Sequence, residues 1–279
     1  MLGHKLVQNW QGNFDVWTTV RGEFEQYEKF NIFEKQKTFE KINVEDIEKV
    51  EKTVSQTKPD VIVNAVGVIK QIQTSKDVVK TLQINSIFPH QLADISEQYG
   101  ARLINISTDC VFNGEKGNYK ETDVPNAYDL YGKSKNLGEV ERKNCLTLRT
   151  SIIGRELETS HSLVEWFLSN EGKNVKGFVN AIYTGFPTIV FAEILKDLIV
   201  NHKELEGLFH VSSEPINKYE LLKLLKKAYK ANIEIEPFED FRIDRSLDSS
   251  KFRQAVNFRT QAWSEMIEKM ALDSMPYKK

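Results

Sequence analysis

Tyr131-Gly132-Lys133-Ser134-Lys135 sets a tyrosine four residues before a lysine. On a helix that spacing puts both side chains on one face. An ammonium close to a phenol favours the phenolate. The tyrosine pKa is therefore expected to fall, allowing proton exchange near neutral pH. The pattern alone is common on surface helices. Here it follows Leu103-Ile104-Asn105-Ile106-Ser107-Thr108-Asp109, which reads as an apolar strand ending in hydroxyls. Carbonyl reduction needs a hydroxyl to orient the carbonyl, a phenol to give the proton and a nicotinamide to give the hydride.

The elements that must position these groups alternate along the first half of the chain. Residues 14–20 are a strand candidate, and 44–57 read as a helix charged on one side. Lys58-Pro59-Asp60 breaks that helix ahead of the continuous apolar strand Val61-Ile62-Val63-Asn64-Ala65. Such a run suits a strand buried on both faces of a parallel sheet. A long helix is expected over 78–99, bent near Pro89, then a strand over 102–107, a helix over 130–142 and a strand over 146–149. This order predicts an α/β fold with a doubly wound, Rossmann-like parallel sheet. The second half mixes helices at 163–170, 190–201, 218–229 and 260–270 with short strands at 208–211 and 233–236. It predicts a smaller mixed α/β domain laid over the sheet. The expected division is a dinucleotide-binding domain at 1–152 and a mainly substrate-binding domain at 153–279. Parts near 178–212 are expected to return to the first sheet.

The totals narrow the classes. The 279 residues suffice for one large or two modest domains. A formal net charge of -2 gives no reason to expect nucleic acid or a membrane surface as partner. Cys110 and Cys145 are the two cysteines, without metal-type spacing, and the five histidines are scattered. No metal is expected. No apolar run approaches a membrane span and no signal peptide is seen, so a cytoplasmic protein with reduced thiols is expected.

The motifs together resemble the extended short-chain dehydrogenase/reductases, and within them the dTDP-4-dehydrorhamnose reductase-like, sugar-nucleotide-binding group. The carriers are Met1-Leu2-Gly3-His4, Asn64-Ala65-Val66-Gly67, Ser107-Thr108-Asp109-Cys110-Val111-Phe112 and Tyr131-Gly132-Lys133-Ser134-Lys135. Leu148-Arg149-Thr150-Ser151, Gly185-Phe186-Pro187-Thr188 and Arg245-Ser246-Leu247-Asp248 follow in the family's order. One departure stands out. The family opens with a strand and a Gly-x-x-Gly-x-x-Gly turn that cradles a pyrophosphate. Only Gly3, which looks like the third glycine, is present. The missing strand belongs mid-sheet, so unpaired edges and an opened core are expected. A fragment, a start set too late, or a chain that has shed its cofactor site would each explain this, the first two together being favoured.

The resemblance implies residue roles. Thr108 orients the carbonyl, with Ser107 as the neighbouring alternative on the substrate side; such a pair can also merely cap backbone groups. Tyr131 donates the proton, and Lys135 binds the nicotinamide ribose while supporting Tyr131. Ala65, Val66 and Gly67 lie beside the dinucleotide, Asn43 and Val44 by the adenine, and Thr150 at the nicotinamide. Asn85 resembles a structural asparagine near the site. Arg21 follows the family's second strand. An arginine there offers a donor fork to the 2′-phosphate, so NADP(H) is favoured over NAD(H). Lys70, in Val68-Ile69-Lys70-Gln71, would face the sugar. Trp166 would stack on it or pack, and Arg242 with Arg245 would clamp a diphosphate or form plain ion pairs.

The expected activity is NADP-dependent reduction of a nucleotide-linked 4-keto-deoxysugar in polysaccharide precursor synthesis. Pairing of two long helices makes a homodimer an expectation as well. Epimerases and dehydratases share the scaffold, but dehydratases of this group usually place Asp-Glu after the catalytic threonine, and here Asp109 is followed by Cys110. A non-catalytic regulatory or binding subunit is the other rival. The missing turn favours it, and the retention of Thr108, Tyr131 and Lys135 argues against it.

Overall fold

The computed structural model describes residues 1–70, 77–273, 275 and 277. Its elements run α1 (Leu2–Trp10), β1 (Thr18–Thr19), α2 (Glu25–Glu28), β2 (Thr38–Phe39), α3 (Ile47–Thr57), β3 (Val61–Asn64), α4 (Val78–Leu82), α5 (Phe88–Gln98) and β4 (Arg102–Thr108). They continue with α6 (Leu130–Leu137), β5 (Cys145–Thr150), β6 (Ile152–Ile153), α7 (Leu163–Leu168), β7 (Asn174–Tyr183), β8 (Phe186–Pro187), α8 (Thr188–Asn201) and β9 (Gly207–His210). The last are β10 (Ile216–Asn217), α9 (Lys218–Tyr229), β11 (Glu234–Asp244), α10 (Ser250–Val256) and α11 (Trp263–Ala271).

The central sheet is parallel throughout, in the order β3-β4-β5-β9. Successive residues of a strand face opposite ways, and β4 uses both faces. Leu103 packs with Val50, Val54, Phe88 and Leu92 of α3 and α5. Ile104 packs with Leu6, Trp10 and Phe191 of α1 and α8. Helices on both faces make the expected doubly wound α/β architecture.

The sheet is split. Among the described residues, strands β1 and β2 pair only with each other, and β3 is left at an edge with Val61, Ile62 and Val63 half-buried. An unpaired edge is what the sequence led us to expect, but Val61 and Val63 pack against one core cluster and Ile62 against the other. Of the stretch 178–212, β9 hydrogen-bonds to β5 and β8 to β6, while β7 lies between β10 and β11 in a second, three-stranded sheet.

Two helices differ from the sequence reading in ways that shape the site. The helix expected over 78–99 is broken by a π turn at Gln83–Ile87, upstream of Pro89. The wide turn admits Asn85, fully buried. Its Oδ1 accepts from Val68 N–H at 2.8 Å, and its Nδ2 donates to Val68 C=O and Ser134 Oγ, each at 3.1 Å. One amide thus ties the loop after β3 to α6. The helix expected over 130–142 stops at Leu137, with Gly138 as its cap. A Cβ on Gly138 would come within 1.9 Å of the Asn85 carbonyl oxygen, so only glycine lets the chains approach this closely. Beyond it, the Thr147 hydroxyl donates to Val140 C=O at 2.7 Å and accepts from Val140 N–H at 3.1 Å, drawing the chain out of the helix.

Shorter revisions are local. The strand expected over 14–20 reduces to Thr18–Thr19, with Asp15 turned to Trp17 Nε1 and Lys37. The strand expected over 233–236 runs on to Asp244 because β7, absent from the sequence reading, supplies a partner.

Candidate active site

The carboxyl ends of β3, β4 and β5 open on one side, where ligands of open α/β sheets bind. Thr108 ends β4 opposite Thr150 of β5. Both are buried. The Thr108 hydroxyl donates to Asp109 Oδ1 at 3.2 Å and accepts from Cys110 N–H at 3.1 Å. Helix α6 starts at the Asp129 cap, whose carboxylate accepts from Gly132 N–H at 2.9 Å. A Cβ on Gly132 would come within 2.1 Å of the Cys110 carbonyl oxygen. That glycine lets the first turn of α6 press against the turn after Thr108, bringing Tyr131 to Thr108.

The electrostatics of Tyr131 run against the expectation from the spacing. Burial is the largest influence and pushes the phenol above its ordinary value; Cys110, Asp109 and Asp129 act the same way, and the Thr108 hydrogen bond opposes them. Lys135 does face the site end of α6, but its ammonium donates to the Ile106 carbonyl oxygen at 2.7 Å. Burial lowers the Lys135 pKa to about 8, against the nearby Glu139. The phenol is thus a neutral donor at pH 7, and the ammonium is still mostly charged.

Other expected site residues divide by place. Lys70 pairs with Asp129 at 2.7 Å and its ammonium lies 5.5 Å from the Tyr131 ring centroid, beside the candidate proton donor. Gln71 lies outside the described residues. Ala65, Val66 and Gly67 are exposed at the end of β3, and a Cβ on Gly67 would meet Asn85 Oδ1 at an ordinary 3.4 Å. Arg21 is exposed just beyond β1, with no ion pair among the described residues. Asn43 is exposed in a turn with Glu45, and Val44 is half-buried. Gly3 sits in the first turn of α1, with nothing within 4 Å of where a Cβ would stand. Exposed backbone at 65–67, the Arg21 fork and the Lys135 ammonium fit a nicotinamide dinucleotide lying across the strand ends.

The structure does not bring every residue together. The Ser107 hydroxyl donates to Glu139 Oε1 at 2.6 Å, on the side of β4 away from Tyr131. Arg245 Nε donates to Phe112 C=O at 2.8 Å and its guanidinium lies beside Asp109, while Arg242 is exposed on β11. The two arginines do not form a clamp. Trp166 is 40 % exposed on α7. Three groups went unassigned in the sequence reading. Asp109 follows Thr108 and hydrogen-bonds to its hydroxyl, and Tyr183 and Lys218 both feel the Asp109 charge. Tyr183 stands two residues before the Gly185-Phe186-Pro187-Thr188 motif, which was a signal; Lys218 carries none, since α9 reads as an amphipathic surface helix.

Among the described residues no group of three or more His, Cys, Asp or Glu side chains could hold a metal ion, and no helix is long and apolar enough to cross a membrane. Both cysteines are free. Burial pushes the Cys110 thiol up to about 12.

Comparison with known proteins adds the following. The model of the RmlD substrate binding domain matches residues 2–275. The dTDP-4-dehydrorhamnose reductase of Aggregatibacter actinomycetemcomitans is 29 % identical over 189 residues, covering 63 % of this chain and 63 % of that protein. The match therefore spans under two thirds of the reductase's length. Methionine adenosyltransferase 2 subunit beta of Mus musculus is 27 % identical over 262 residues, covering 83 % of this chain and 78 % of that protein. Among solved structures, the dTDP-4-dehydrorhamnose reductase of Bacillus anthracis str. Ames, in complex with NADP, aligns with a TM-score of 0.75 at 22 % identity, over 92 % of this chain and 98 % of that one. At that identity the likeness establishes the fold.

Proposed function

Since this chain belongs to the RmlD substrate binding domain family, we propose that it is an NADP-dependent reductase of a nucleotide-linked 4-keto-deoxysugar, in polysaccharide precursor synthesis. The observation that carries the reading is the seating of the first turn of α6, with Tyr131, on the turn that follows Thr108, with the Lys135 ammonium anchored on the same strand end. Thr108 holds the keto oxygen, and Tyr131 gives that oxygen its proton. A bound nicotinamide supplies the hydride at the keto carbon. A neutral phenol suits this direction, because a developing alkoxide is a stronger base than a phenolate. Lys135 stabilises the phenolate left on Tyr131 and holds a ribose hydroxyl with its remaining N–H groups.

The pH dependence follows from Lys135. Burial disfavours its charged form, so the proton leaves at lower pH than from a free lysine. The ammonium is present below about 8 and lost above it. The rate of reduction is therefore expected to fall as pH rises through about 8. A pH profile of kcat that stays flat into the range of a free lysine contradicts this role.

Arg21 is assigned to the 2′-phosphate. Arg21→Ala is expected to weaken NADPH binding by about 10- to 100-fold, as for loss of charge-assisted hydrogen bonds, and to leave NADH binding unchanged. Calorimetric titration with both cofactors checks it; equal losses for the two refute the assignment. Stoichiometric NADPH consumption with a dTDP-linked 4-keto sugar tests the activity as a whole.

A second reading has one specific observation in its favour. Sequence similarity to a protein named as a subunit of an adenosyltransferase extends over 83 % of this chain, against 63 % for the Aggregatibacter actinomycetemcomitans reductase. On that reading the scaffold binds a dinucleotide or a partner without turnover. The grouping of Thr108, Tyr131 and Lys135 weighs for the reductase.

A further inference from the structure

Lys218 is the first residue of α9, half-buried, with its ammonium 4.1 Å from the centroid of the Tyr183 ring. It makes no ion pair and no hydrogen bond among the described residues. Tyr183 closes β7 and is 5 % exposed. Its hydroxyl forms no hydrogen bond of ordinary geometry among the described residues, although Ser151 is near enough to oppose the rise that burial imposes on its pKa. Asp109, 7 % exposed, is the third group. Its carboxylate and the Lys218 ammonium act on one another, and Asp109 with Cys110 acts on the Tyr183 phenol and on Tyr131. Lys218 thus lies on the Tyr183 ring, and both feel the charge of Asp109, the residue that follows Thr108.

Their chemistry is complementary. An ammonium only donates, an ionised carboxylate only accepts, and a phenol does either. Buried polar groups left unpartnered are costly. A single hydroxyl can accept from Lys218 and pair with the Asp109 carboxyl at once; burial raises the pKa of that carboxyl, and Arg245 and Lys218 oppose the rise. Burial draws Lys218 down to about 8, against the pull of Asp109, so it is charged at neutral pH.

We propose that Lys218, with Asp109 and Tyr183, forms a specificity subsite for a sugar hydroxyl on the carbon next to the one that Tyr131 and Thr108 act on. The assignment of that carbon rests on the reductase reading. Lys218 is a positioning and selectivity residue, outside proton transfer. A site built to hydrogen-bond a hydroxyl rejects the analogue that lacks it, because its own buried groups are then stranded.

The test is equilibrium binding of dTDP-glucose and dTDP-3-deoxyglucose to the full chain, to Lys218→Met and to Lys218→Arg. The full chain should bind the hydroxylated sugar about 10- to 100-fold more tightly than the deoxy analogue, the range for a hydrogen bond to a charged group. Lys218→Met should erase the preference by weakening only dTDP-glucose, and Lys218→Arg should keep part of it. No preference in the full chain overturns the subsite, whether or not the variants fold. So does a preference that survives in a folded Lys218→Met. No hydride moves in this assay. A chain that discriminates between the sugars yet never consumes NADPH refutes the reductase and keeps the subsite. One that reduces keto sugars without discriminating refutes the subsite and keeps the reductase.

Discussion

Tyr131→Phe is expected to lower kcat for keto-sugar reduction by about 10²- to 10⁴-fold, the usual worth of a positioned general acid, while NADPH affinity stays near its wild-type value. The ring is kept, so the Lys70 ammonium above its face remains, as does the Gly132 approach that seats α6 on the turn at Cys110. Only the proton is removed. Thr108 and Lys135 still hold their hydrogen bonds to the β4 backbone and its following turn. Steady-state kinetics beside a cofactor titration separates the two effects. Unchanged turnover eliminates Tyr131 as donor. Parallel loss of turnover and cofactor binding points to a damaged site and not to missing acid catalysis.

Glu139→Ala is expected to cost about 3–5 kcal/mol of stability, because it strands a buried cation. Glu139 accepts from Arg149 Nε at 2.8 Å and Nη2 at 2.7 Å, and from the Ser107 hydroxyl at 2.6 Å. The two side chains of the pair are 6 % and 3 % exposed. His210 completes the network as a neutral imidazole. Its Nδ1 donates to Tyr119 C=O at 3.0 Å and its Nε2 takes Arg149 Nη1 at 3.2 Å; burial and the Arg149 charge draw its pKa down to about 4. Against a total stability of about 5–15 kcal/mol this loss is severe. Urea unfolding measures it, and a change below about 1 kcal/mol, the range of exposed pairs, contradicts the argument. Glu139→Gln keeps an acceptor for Arg149 and Ser107, so it should fall between. It also removes the charge that holds the Lys135 pKa up, so the alkaline fall in turnover should move to lower pH.

What the sequence disclosed was what lies close along the chain. Tyr131 and Lys135 are four residues apart, and Thr108 ends an apolar run, so periodicity and strand-end chemistry reach them. The two faces of β4 explain the limit. Ser107 and Thr108 are neighbours with the same chemistry, but alternate side chains of a strand point opposite ways, and only one could face Tyr131. Ser107 went to Glu139, a residue whose partner Arg149 arrives from the next strand. The direction of the Tyr131 shift was misjudged for the same reason. Spacing brought a lysine near, whereas burial and the acids at 109 and 129 decided the sign. Arg245 reads as a phosphate ligand until β11 carries it to the Phe112 carbonyl. Lys218 comes to the Tyr183 ring only through the packing of α9 on β7, a long-range contact with no local sequence signature.

The most direct test of the central claim is isotope transfer from NADPH deuterated at the nicotinamide C4 to a dTDP-linked 4-keto sugar. Deuterium is expected at the former carbonyl carbon of a reduced sugar, one for each NADPH consumed, with the product lost in Tyr131→Phe. A sugar returned at its original oxidation state would make the chain an epimerase. Tight NADPH binding with no deuterium in any sugar would make it a binding subunit, and either result contradicts the reductase.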